Sequence, residues 1–283
     1  MPPAGPKVRW LRNQAHTLIL LAAMGALAAY CGWIVAGNDG IAWSVLVGTM
    51  CLIALRHVPA DALLKALQAR PLPASQALAI SPLFAGLCGR AGLRPVPRLY
   101  RIEQELPLAF SLGEGNAAAI VMADCLLEHL STRELCGILA HEIVHLRNGD
   151  LLLMQLGLVF GWATRTVSQV GCILVLISLL AHAFSLADFP LTSLLVLVLA
   201  PLGSALLRLA MARDREAEAD LEAAELTGDP AGLASALVKL RDWQQRQLRR
   251  AFPFARSVHL PTLLADHPPT EDRIRRLREM EYR

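Results

Sequence analysis

Four apolar stretches punctuate the 283-residue chain. Thr17–Gly37 runs 21 residues and Ile41–Leu55 runs 15, both without a charge. Val170–Leu186 runs 17 around His182, and Leu191–Met211 runs 21 with Arg208 near its end. Crossing a hydrocarbon core of ~30 Å takes about 20 helical residues. The first and fourth stretches suffice as they stand; the second and third need extension or a thinner bilayer. The first is too long for the apolar region of a cleaved signal peptide and runs at once into the second. The pattern therefore predicts two transmembrane hairpins, four transmembrane helices in all.

Basic residues orient these spans. Lys7, Arg9 and Arg12 precede the first, and Arg56, Lys65 and Arg70 follow the second. Arg213, Arg215 and a basic tail follow the fourth, whereas Asn38-Asp39-Gly40 and Ala187-Asp188-Phe189-Pro190 carry no Lys or Arg. Positive charge marks the cytoplasmic side. Both termini and the long middle segment are thus expected in the cytosol, with both hairpin tips outside. The expected organisation is a solvated leader (1–16), hairpin one (17–55), a first cytosolic segment (56–150), hairpin two (151–212) and a second cytosolic segment (213–283). The two polar segments together form the cytosolic domain. Arg165 lies between apolar runs beside Thr164, Thr166 and Ser168. It is read as the last exposed turn before the bilayer, because intramembrane charges are rare and costly.

Periodicity within the polar segments predicts helices over Asp61–Arg70 and Ala74–Gly92, the second stopped by Gly92 and Pro95. Alternation predicts a strand at Arg98–Glu103, and a short apolar run rich in Ala, Ile and Val predicts another at Ala117–Ala123, with an edge strand over Leu108–Gly113. Ser131-Thr132-Arg133-Glu134 is a capping box that opens the next helix. Asn148-Gly149 closes that helix, and Asp150 is placed to cap its successor. Helices dominate beside a small sheet.

Composition sharpens this picture. The chain is 54% hydrophobic and 18% charged, against about 45–50% and 25% in soluble domains. It reads as a membrane protein carrying a polar domain. A net charge of +3 leaves no nucleic-acid footprint. The six cysteines are scattered without a CxxC pair and read as apolar fillers in a reduced compartment.

The helix opened by the capping box carries His141-Glu142-Ile143-Val144-His145. Imidazoles four residues apart project from one helix face and can grip a single metal ion. The carboxylate between them can draw a proton from an attacking water. A third ligand has to come from elsewhere. The acidic helix after the fourth span offers Glu216, Asp220 and Glu222, with Glu216 and Asp220 sharing a face at a four-residue spacing. Helix geometry alone does not separate Glu216 from Glu222 as the ligand. A solvated charged helix accounts for the same run equally well. Whichever carboxylate binds, a neighbour can steady a ligating imidazole.

Three ordered motifs carry a resemblance. His141-Glu142-Ile143-Val144-His145-Leu146-Arg147-Asn148-Gly149-Asp150 resembles the HExxH-x-x-NGD element of HtpX-type membrane zinc endopeptidases, gluzincins related to the CAAX prenyl proteases. Arg213-x-Arg215-Glu216-x-x-Ala219-Asp220 is similar to that family's RxRExxAD element. Asp266-His267-Pro268-Pro269-Thr270-Glu271-x-Arg273-Ile274 resembles its C-terminal THPP-x-E-x-RI element. The chain departs from the family at Leu108, where Asn is common, and at Ala217, where an aromatic is usual.

The resemblance implies a mainly α membrane protein with four transmembrane helices and a cytosolic α+β zincin-like metallopeptidase domain built from two segments. It implies one Zn2+ per chain on His141, His145 and Glu216, Glu142 as general base, and Asp220 steadying a ligand. His267 is either an oxyanion donor or reversible fourth ligand, or a structural residue of the turn before Pro268. Arg213 and Arg215 are expected to pair with acidic neighbours or lipid headgroups. The implied activity is hydrolysis of misfolded or unassembled membrane proteins at the cytosolic face of the cytoplasmic membrane. Expected partners are protein or peptide substrates and the bilayer, with a homo-oligomer left open. The alternative is a zinc-stabilised scaffold or regulator that does not cut, against which the intact Glu142 argues. A prenyl-protein protease fits less well, since those relatives are larger and have more spans.

Overall fold

The structure is a computed structural model that describes residues 6–56, 59–183, 191–251 and 270–281. The expected tip Ala187–Pro190, and His267, lie outside the described residues. Two compact units are present, each drawn from two chain segments: Met1–His57 with Leu152–Asp214, and Val58–Leu151 with Arg215–Arg283.

The first unit is helical. Its opening helix, α1 (Pro6–Arg56), starts well before the expected span at Thr17, so the described part of the leader is helical. Its backbone leaves helical geometry at Ala36 and Gly37. The chain folds back there, a little before the expected Asn38–Gly40 tip, and Ser44 Oγ comes 3.5 Å from the Ala28 carbonyl. The halves meet at Gly32 and Gly40, where an added Cβ would lie 2.4 Å and 1.9 Å from the opposing carbonyl oxygens. Only glycine permits that approach. Among the described residues three helices are long and apolar enough to cross a membrane, where four were expected: Gln14–Ala54, Asp150–Leu174 and Leu195–Thr227. The count falls because both first stretches lie in α1.

The other two belong to α6 (Asp150–Ala183) and α7 (Leu191–Thr227). These pack along small residues, with Gly157 against Met211 and Gly171 against Leu197, as small side chains allow between apolar helices. Pro201 lies inside α7 and cannot donate to the carbonyl four residues back, that of Leu197. Ser168 Oγ of α6 donates to that carbonyl. A group left unpaired in an apolar setting is thereby satisfied. Thr164 donates to Phe160 O at 2.8 Å, and Arg165, read from the sequence as lying before the bilayer, is exposed and falls inside the candidate span Asp150–Leu174. Leu18, Ile19, Trp33, Trp43, Val45 and Trp162 are exposed, as suits helices solvated by lipid.

The second unit holds a small mixed sheet. After α2 (Ala60–Ala66), Gln68 takes a positive φ of 53° and the chain enters β1 (Arg70–Pro71). The helix expected to reach Arg70 therefore stops early. Next come α3 (Ala74–Ala91), β2 (Arg98–Ile102), β3 (Ala109–Leu112) and β4 (Ala119–Ala123). The sheet order is β1-β2-β4-β3, with β2 and β4 parallel and the outer strands antiparallel to them. All five β4 residues are buried, and β3 is the edge strand that the pattern predicts.

A short α4 (Asp124–His129) leads to α5 (Thr132–Asn148), the helix carrying both histidines. The capping box is present, and Gly149 ends α5 in left-handed geometry. Two further helices, α8 (Pro230–Ala251) and α9 (Thr270–Glu281), complete the unit. Gly137 lets α5 meet α8 closely, since a Cβ there would lie 2.9 Å from Leu233 Cα. The core joins Phe84 and Leu87 of α3, Ile120 and Met122 of β4, Leu139 and Ile143 of α5, and Ile274 and Leu277 of α9. The described cysteines are all free, and Cys88 and Cys125 fill this core.

Candidate metal centre

The site grows from one face of α5. The capping box anchors its start: Ser131 N and Oγ donate to Glu134 Oε2 at 2.8 Å and 2.9 Å. From α8, Ser235 Oγ donates to Glu134 Oε1 at 2.6 Å and Lys239 Nζ to Oε2 at 2.7 Å. Burial alone would raise the Glu134 carboxyl, yet these donors hold it at about 2, below its ordinary 4.5. The helix is thus pinned ahead of the turns that carry the chemistry.

His141, Glu142 and His145 follow, all buried. The two Nε2 atoms stand 3.1 Å apart with ring planes at 89°. Glu216 of α7 brings Oε2 to 3.4 Å from His141 Nε2 and Oε1 to 3.8 Å from His145 Nε2. A tetrahedral ion with bonds of ~2.0–2.1 Å needs ligand atoms roughly 3.3–3.4 Å apart. These three side chains come near that spacing, with one ligand atom from each within 4.8 Å of the others, and among the described residues they form a group that could hold a metal ion.

Glu222, the other carboxylate that helix geometry leaves open, is engaged elsewhere. It accepts from Arg147 Nη2 at 2.5 Å and from Asn148 Nδ2 at 2.9 Å.

Each imidazole has a carboxylate behind it. His145 Nδ1 lies 2.8 Å from Asp150 Oδ2, so Asp150 serves the histidine rather than capping α6. Arg215 Nη1, buried, donates to Asp150 Oδ1 at 3.2 Å and lies 3.6 Å from Glu218. His141 Nδ1 lies 3.2 Å from Asp220 Oδ1, within ion-pair range but poorly aligned for a hydrogen bond. Arg273 of α9 grips Asp220 with two donors, both at 2.7 Å, and reaches Glu216 Oε2 at 2.8 Å.

The electrostatics favour a cation. Glu142, Asp150, Glu216, Glu218 and Asp220 are buried together, and Arg215 and Arg273 reach into this cluster as fixed positive partners. Burial by itself lowers an imidazole, but the Asp220 and Glu216 carboxylates outweigh it and push His141 up to about 10. Burial likewise works against Arg273, and the Asp220, Glu216 and Glu142 carboxylates still hold it above its ordinary range. Excess buried negative charge is costly, and a divalent ion between the imidazoles and Glu216 would relieve it.

The sequence points to His141, Glu142, His145, Glu216 and Asp220, and the fold brings all five into this one buried cluster. It assigns Asp150, Glu218 and Arg273 no place there. Asp150 and Arg273 lie inside the quoted motifs, which is the signal that could have found them. Arg215 pairs with acidic neighbours, one of the two outcomes expected of it.

Residues 84–281 match the family described as Peptidase family M48. The chain is 31% identical to Protease HtpX of Legionella pneumophila subsp. pneumophila, over 95% of this chain and 99% of that one. It is 30% identical to a Protease HtpX homolog of Desulfatibacillum aliphaticivorans, over 94% and 89%. Among solved structures, Ste24p of S. mikatae shares the fold at a TM-score of 0.52 and 19% identity, covering 95% of this chain and 66% of that one. With its apolar membrane-length helices and its His-His-Glu group, the chain belongs to peptidase family M48 and is a membrane-bound metalloendopeptidase acting on protein or peptide substrates.

Proposed function

We propose that the metal is zinc, that His141, His145 and Glu216 hold it, and that Glu142 is the general base. The observation that carries this is the convergence of two imidazole Nε2 atoms and one carboxylate beside a buried glutamate on the same helical turn. Two histidines and a glutamate are a catalytic zinc set that leaves one position open. When bound, zinc supplies a Lewis acid that polarises the scissile carbonyl and makes water acidic enough to deprotonate near neutrality. Glu142 takes the proton from the attacking water and returns it to the leaving amine. Asp150 and Asp220 orient His145 and His141 so that each presents Nε2 to the metal. The β3 edge supports docking of an extended peptide by strand addition.

The fold-back of α1 supports counting it as two passes, giving four, and the two compact units support one catalytic domain in two segments. The distribution of Lys and Arg supports cytosolic termini and active site, in the cytoplasmic membrane. Misfolded or unassembled membrane proteins are the proposed substrates, since a protease tethered to the bilayer meets their exposed loops first. His267 is proposed as an oxyanion donor or switching ligand, and a His267→Ala variant that cleaves like wild type removes that role.

The deciding experiment is cleavage of an unfolded model protein by detergent-purified enzyme, kept in chelator until zinc is added. Glu142→Gln should retain zinc and lose cleavage. Cleavage by Glu142→Gln would refute the base assignment.

A further inference from the structure

The two imidazoles are supported by parallel arrangements with different origins. Behind His145, Asp150 is held by Arg215, which sits one residue before Glu216 on the same helix. Behind His141, Asp220 is held by Arg273, which arrives from α9. Arg273 grips both a candidate metal ligand and a carboxylate that backs one. Its Nη1 meets Glu216 Oε2 at 2.8 Å, while Nε and Nη2 meet the two oxygens of Asp220 at 2.7 Å each.

Resting on the metal-site reading above, we propose that Arg273 is a positioning residue that makes metal binding and the seating of α9 one coupled event. With Oε2 of Glu216 engaged by the guanidinium, that carboxylate is steered to one-oxygen ligation. The two-pronged grip on Asp220 sets the carboxylate plane facing His141 Nδ1. A planar guanidinium does both at once, whereas an ammonium presents a point charge.

The next residues tie this grip to the helix. Ile274 and Leu277, within one turn of Arg273, are buried in the same core as Ile143 of the metal helix. Moving α9 therefore removes the cation from Glu216 and Asp220, and losing those carboxylates' geometry removes the polar anchor of α9. Coupling between two such events is reciprocal. Metal should steady α9, and a seated α9 should raise metal affinity by the same factor.

The test uses full-length protein in detergent, with zinc affinity read by competition against a chromogenic chelator and hydrogen exchange followed over residues 270–281. In wild type, zinc should slow exchange across this helix. Arg273→Met should bind zinc about 10–100-fold more weakly, the usual loss when a residue supporting a metal ligand is removed, and zinc should no longer slow exchange there. Arg273→Lys keeps the charge without the fork and covers the case in which Arg273→Met does not fold. It should also bind zinc more weakly, with metal-free thermal stability close to wild type. Leu277→Ala, away from the carboxylates, loosens α9 and should weaken zinc binding while keeping some zinc-dependent protection.

Wild-type zinc affinity in both Arg273 variants overturns the proposal. So does zinc-independent exchange over 270–281 in a wild type that binds zinc. A wild type that binds no zinc refutes the underlying metal-site reading instead, and this inference with it.

Discussion

Glu134 offers a quantitative check on how the metal helix is held. The perturbation is Glu134→Gln, which keeps shape and one acceptor but removes the charge facing Lys239 and turns an acceptor toward Ser131 or Ser235 into a donor. The carboxyl falls from its ordinary 4.5 to about 2, the donors of Ser131, Ser235 and Lys239 overcoming the effect of burial. At 1.36 kcal/mol per pKa unit that is roughly 3 kcal/mol. The Lys239 side chain is 48% exposed, so solvent screening trims the total to about 2 kcal/mol. A depressed carboxyl stabilises the fold above its unfolded value, and this stability is lost as pH falls from there through the folded value. The difference between wild type and Glu134→Gln should thus be constant from pH 7 to about 5 and shrink between about 4.5 and 2. At neutral pH it amounts to roughly 4–8 °C in thermal midpoint. The assay is the unfolding midpoint of detergent-solubilised protein at fixed scan rate against pH, metal-free throughout, so that loss of metal at low pH does not enter. Equal midpoints at pH 7, or a difference unchanged down to pH 3, would refute the reasoning.

Two further outcomes test the assignments above. Glu222→Gln breaks only the contacts to Arg147 and Asn148, so it should keep zinc stoichiometry in elemental analysis, whereas Glu216→Gln should lose the metal and cleavage with it. Ser168→Ala should cost about 1 kcal/mol in thermal unfolding, and nothing in a Pro201→Ala background, where Leu197 O regains its own helical donor; an equal loss in both backgrounds would contradict the carbonyl-capping account.

Local signals make much of this protein legible in its amino-acid order. Ser131 and Glu134 are three residues apart, and Gly149 supplies the left-handed residue, so both ends of the metal helix can be read from neighbours alone. The four-residue spacing of His141 and His145 carries their shared face for the same reason. Alternation locates β2, and a short apolar run locates β4, each to within a residue or two, and the edge strand is found with them. Where the signal is not local, the pattern falls short. Helical spacing through Leu63, Leu64 and Leu67 does not show that Gln68 adopts a positive φ and turns the chain into β1. The span count differs because hydropathy sees two stretches where the backbone runs as one long helical element that folds back at Ala36 and Gly37.

The sequence by itself determined the membrane character, the histidine pair and the ends of the helix that bears it, because each depends on residues within a few positions or on summed composition. Helix geometry left Glu216 and Glu222 open and the family resemblance implied Glu216, but only the tertiary structure shows what keeps Glu222 away from the histidines. On one acidic helix Glu216 and Glu222 are chemically equivalent, and the choice falls to Arg147 and Asn148, which claim Glu222 and leave Glu216 to face the imidazoles. It also decided that Asp150 backs His145 and that Arg273 grips Glu216 and Asp220. Those partners are charged groups brought together from separate helices, and a buried charge finds its counter-charge through packing, not through spacing along the chain.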